Sequence, residues 1–166
     1  MKTFKLAFIA LSLAASGHAT AQQQSTIASE SRDASLAYIG TMNFIVGRVG
    51  SECLSTLGRS ESPQKFVAAW QQRNTKHLNA AAMYMEKRLE EAQVNGGAEK
   101  KASVFREVTS VSRANGEIVI RGWFAKDTKE VACKRAVGLV EAGAFDFTPK
   151  MPMYSELESL ALWAQK

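Results

Sequence analysis

Very few residues in this chain have the types and spacing needed for chemistry. Two cysteines stand far apart, Cys53 and Cys133. Neither belongs to a Cys-x-x-Cys pair, so a redox dithiol is not indicated and a structural disulfide is the expected use. His77 is the only histidine outside the extreme N-terminal stretch, where His18 lies. Zinc enzymes draw on two or three imidazoles or thiolates, and a carboxylate-bridged metal pair needs Glu-x-x-His on two helices. Neither pattern is present. Met151-Pro152-Met153 puts two thioethers in one Pro-containing turn, and thioethers are soft ligands suited to Cu(I). Met151, Met153 and His77 are therefore the candidate metal ligands, with packing as the competing use of each. Glu86, Glu90 and Glu91 fall on the solvated side of a helix and read as a charged face. There is no Gly-x-Ser-x-Gly elbow and no Gly-rich phosphate loop, so no nucleophile arrangement and no organic cofactor is expected.

The elements that must position these residues read as helices. Met1–Ala21 is expected to be a cleaved signal peptide: Lys2 and Lys5 precede a short apolar run, and Ala19-Thr20-Ala21 offers small residues for cleavage. The run is shorter than the ~20 residues that span a bilayer. Residues 22–30 are polar and non-periodic, a disordered lead-in by expectation. Residues 31–166 form a single helical domain. A first helix is expected from Ser31 to Leu57 and a second from Ser62 to Gly97, with Ser62 as cap and Pro63 in its first turn. Residues 98–125 force a choice. Asn115-Gly116 is a hairpin signal, giving an α+β alternative. One helix is the better fit, because Val104, Phe105, Val108, Val111, Ile118, Val119 and Trp123 share an arc, leaving Ile120 and Phe124 outside it. Asp127 to Glu130 has capping-box spacing ahead of a fourth helix to Ala142, and Ser155–Ala164 gives a short fifth.

The expected fold is thus all-α, an up-down antiparallel four-helix bundle with a short C-terminal fifth helix. In that order Cys53 and Cys133 sit at nearly the same depth, which favours a bridge between them. Disulfides persist in exported proteins, so the expected location is periplasmic or secreted.

Losing Lys2 and Lys5 with the leader lowers the net charge of +5 by two, and the basic residues alternate with acidic ones. No nucleic-acid footprint results, and no segment calls for stable membrane insertion after cleavage. The function expected is non-catalytic: binding another macromolecule, a protein partner in the cell envelope. The alternative is a small periplasmic enzyme, or a metal- or haem-binding bundle, using His77 or the Met151/Met153 pair. Phe44, Ile45 and Phe124 fall off the expected core faces and form the candidate contact patch, with Met83 and Ile120 similarly placed. Asn43, Asn74, Arg88 and Asn115 share sectors with core residues, and are expected either to form a buried polar network or to line a cleft.

Overall fold

The computed structural model describes residues 27–166. The expected signal peptide and most of the lead-in lie outside the described residues. Those described are all-helical, with no strand among them, so the hairpin alternative at Asn115-Gly116 is overturned. Five helices follow in order: α1 Glu30–Cys53, α2 Pro63–Arg73, α3 Thr75–Phe124, α4 Lys129–Glu141 and α5 Tyr154–Trp163.

Helix α1 is the hub. It touches each of the other four helices. Leu36 and Ile45 are both buried, although nine residues at 100° each put them on opposite sides of the helix. Placing Ile45 in a contact patch assumed a one-sided helix. Ile45 is fully enclosed and offers nothing to a partner. Ser29 caps α1 by accepting the Arg32 N–H, and Glu30 and Asp33 place negative charge in its first turn.

The expected second helix is interrupted at Asn74, which ends α2 and begins α3 with a non-helical backbone. Neither Gly nor Pro causes this break. The Asn74 amide donates to the Trp70 carbonyl at 2.9 Å and to Asp146 at 3.1 Å, while its oxygen accepts the Phe147 N–H at 2.8 Å. Partners 72 and 73 residues away in sequence, one a carboxylate and one a backbone N–H, thus compete through the Asn74 side chain with the helical backbone.

Helix α3 has two limbs, 75–95 and 98–124, joined at Gly96 and Gly97, where Gly97 adopts φ +68°. Along the first limb, partners on α1 and just ahead of it run in the opposite sense: Gln71 at the end of α2 meets Asn43, Tyr84 and Arg88 meet Asp33, and Glu91 meets the Ile27 N–H. Along the second limb they rise together, Ser112 donating to the Ala37 carbonyl and Glu117 pairing with Arg48.

The second limb faces inward through only part of the expected arc: Val104 is buried and Val108, Val119 and Trp123 pack on the core. Ser112, Gly116 and Ile120 are buried at i, i+4 spacing, whereas Phe105, Val111 and Ile118 are exposed. The reason is steric. Small residues allow close approach, and the Phe44 ring fills the space a Cβ on Gly116 would need, with Cε1 at 3.1 Å. Ser112 in turn crowds Gly40, its Cβ 3.1 Å from a Cβ placed there. Close approach here outweighs apolar count. Ile120 is therefore core, and Phe124 is half-buried against it.

Cys53 and Cys133 form a disulfide between α1 and α4, with Cα atoms 5.0 Å apart and both residues fully buried. Arg73 ties α2 to the last turn of α4 and the segment after it, donating to the Val140 carbonyl at 2.9 Å and to Asp146 at 2.9 Å. Helix α5 completes the core with Leu157, Leu160 and Ala161.

Candidate functional site

His77 lies on the first turn of α3 and is buried, at 5 % exposure. Its Nε2 stands 2.9 Å from Glu158 on α5, and its ring meets the edges of Phe147 and Tyr154 at centroid distances of 5.4 and 6.0 Å. Glu158 also accepts Lys76 and the Tyr154 hydroxyl, and these donors, Lys76 foremost, hold its carboxyl down at about 2. The hydrogen bond to Glu158 in turn raises the Tyr154 hydroxyl's pKa. A general base needs its nitrogen within hydrogen-bond reach of a substrate proton. In His77 the Nε2 nitrogen is taken up in fastening α5 to α3.

Both thioethers belong to the segment that leads into α5. Met151 is half-buried against the core, with the Tyr38 hydroxyl 4.0 Å from its sulfur. Met153 stands just ahead of α5. Among the described residues there is no group of three His, Cys, Asp or Glu side chains able to hold a metal ion.

The four polar residues expected in core sectors divide. Asn74 is the buried hub described above. Arg88 donates to Asp33 at 3.1 Å and lies 3.5 Å from Glu91. Asn43 accepts from Gln71 at 2.8 Å, half-buried beside a cleft. Asn115 is exposed on the outer side of α3 and joins neither a network nor that cleft.

A cluster that the sequence reading did not single out closes the end where α1 begins. Tyr84, fully buried, donates to Asp33 at 2.7 Å; burial first, and this bond second, raise its pKa. The Arg32 guanidinium sits over both the Tyr84 and Trp163 rings, 5.7 and 5.5 Å from their centroids. Asp33 in the first turn of a capped helix, with Tyr84 and Arg88 at i, i+4 on another, is the signal that could have found it.

The candidate surface is a cleft of about 340 Å³ between α1 and both limbs of α3. Leu36, Gly40, Phe44, Met85 and Val108 make it mostly apolar. Arg113 lies at its edge, exposed and without an ion-pair partner among the described residues. Of the expected contact patch, Phe44 lines this cleft while its ring rests in the Gly116 notch. Phe124 packs on the core instead, and Met83 is exposed at 45 %. The chain matches no family model, no curated protein and no solved structure.

Proposed function

We propose that this protein is an exported, non-catalytic helical protein that binds another macromolecule, with the cleft between α1 and α3 receiving an amphipathic helix of a protein partner in the cell envelope. The observation that carries the reading is the cleft itself: apolar walls, a glycine in the floor and one uncompensated cation at the edge. From Leu36 to Phe44 it extends about 12 Å along α1, room for two turns of a docked helix. Arg113 would meet an acidic residue on that helix. The disulfide supports export, and no helix among the described residues is long and apolar enough to cross a membrane.

The reading includes the up-down arrangement. Opposed pairings of α1 with the first limb of α3, and matched ones with the second, support it, with α4 and α5 sharing the fourth position.

The test is affinity capture from envelope extract with the wild type, Met85→Glu, Arg113→Glu and His77→Ala. A specific partner lost with the first two variants and kept by the third supports the reading. Retention by both cleft variants overturns it, as would a turnover in a hydrolase screen that disappears with His77→Ala.

A further inference from the structure

The outer side of the second limb of α3 carries an apolar stripe that no other described residue covers. Val111 is 43 % exposed and Ile118 63 % exposed, seven residues apart and so nearly in line along the helix. Between and beyond them lie Ala114, Asn115 and Gly122, all exposed. A Cβ at Gly122 would meet no atom within 4 Å, so no contact inside the chain accounts for a glycine there. This stripe is separate from the cleft, whose α3 residues face α1.

The charges flanking the stripe are arranged for self-recognition. Arg113, Glu117 and Arg121 have the spacing of an ion-paired ladder, but Glu117 turns instead to Arg48 on α1 at 3.0 Å. Arg121 reaches only the Glu117 backbone carbonyl. Among the described residues, neither Arg121 nor Glu107 has an ion-pair partner. The two lie about 40° apart around the helix, hence on the same flank of the stripe. Val111 and Ile118 are centred between Ala114 and Asn115, and Glu107 and Arg121 are centred at Ala114, only half a residue away.

These facts fix a geometry. Let two copies of the limb pack antiparallel about a two-fold axis passing by Ala114 and Asn115. Val111 of one copy then meets Ile118 of the other, and Glu107 meets Arg121, each pair occurring twice. A two-fold axis lying in the interface keeps same-flank residues on the same side, as these pairs require. Parallel packing about an axis along the helices would send each copy's Glu107 and Arg121 to the opposite flank of the seam and leave both unpaired. Small residues at 114 and 122 permit the close approach that helix packing needs. Asn115, which has no side-chain partner among the described residues, would fall beside the axis, where a single polar residue can fix register.

We infer that this protein forms an antiparallel two-fold dimer through the Val111–Ile118 stripe of α3, with reciprocal Glu107–Arg121 ion pairs at its edges. An interface built on one helix pair lies at the small end of stable interfaces, so the dimer dissociates on dilution.

Sedimentation equilibrium of the purified, disulfide-intact protein, from low-micromolar concentration upward, is the test, with circular dichroism to verify folding. The expected result for the wild type is a reversible monomer–dimer equilibrium. Ile118→Asp alters an exposed position, so it should fold normally and weaken dimerisation by more than about 30-fold. Glu107→Arg and Arg121→Glu should each weaken it roughly tenfold by setting like charges together, and the double variant should return it to near the wild-type value. A wild type that stays monomeric at every concentration overturns the inference. So does a dimer indifferent to Ile118→Asp, or charge reversals whose effects add rather than cancel. None of these outcomes depends on whether the cleft binds a partner.

Discussion

The ring of Phe44 occupies the place where a side chain on Gly116 would begin, its Cε1 3.1 Å and its Cγ 3.3 Å from that position. Gly116→Ala gains helix propensity worth up to about 1 kcal/mol but must displace an aromatic ring. Overpacking of this kind costs about 1–3 kcal/mol, so the net effect is destabilising. Gly138→Ala is the matched comparison, because a Cβ there meets nothing within 4 Å and the position is exposed in α4. It should stabilise by about 0.5–1 kcal/mol. Urea denaturation of the two variants should shift the midpoint in opposite directions.

Asn74→Ala should destabilise by about 2–3 kcal/mol, since it strips the buried Phe147 N–H of its acceptor and the Trp70 carbonyl and Asp146 of a donor. Hydrogen exchange locates the effect. The Phe147 amide should lose protection well before amides in the middle of α1.

Reducing the Cys53–Cys133 bond opens a loop spanning 80 positions. In the chain-entropy model that loss is worth about 4–5 kcal/mol. Cys53→Ala and Cys133→Ala should therefore each cost a comparable amount, and the double variant little more than either alone. Thermal unfolding with and without reductant checks both statements. Additive losses would show that the bond is not the shared cause.

Acid should loosen the junction of α5. The Glu158 carboxyl is held at about 2, below the ordinary value of 4.5, by Lys76 first and then by Tyr154 and His77. A carboxyl lowered in the folded state stabilises it above the unfolded value, and that contribution fades as pH falls from about 4.5 towards 2. About a quarter of the side chain meets water, so screening keeps the effect small. Glu158→Gln should flatten this part of the stability profile and leave the neutral region less stable than the wild type.

Helix identity was legible where local signals sufficed. Ser62-Pro63 starts α2, and the two cysteines announced a bridge that the structure contains, whereas α4 starts one residue later than the capping box implies, with Thr128 rather than Asp127 accepting the Val131 N–H. Residues 98–124 were correctly read as helix against a hairpin signal, because Asn-Gly is only a local preference. The failures share one cause. Asn74 breaks a helix by bonding to Phe147, a partner that no local window contains. Ile45 and Ile120 were assigned outward because the helical wheel assumes one buried side, whereas α1 is enclosed on opposite sides and the second limb of α3 turns its small residues inward. Of the candidate site, Phe44 was found by its position off the wheel's core arc. The cleft it lines was not, because its walls come from α1 and both limbs of α3.

The Gly96–Gly97 turn is an exposed or half-exposed break between the two limbs of α3, the kind of backbone a protease cleaves. A single cut there separates the chain into one piece carrying Cys53 and another carrying Cys133. The disulfide would still join them. A nicked molecule would keep its full mass until reductant is added and then fall into two peptides, so limited proteolysis without reductant would under-report how readily this chain is cut.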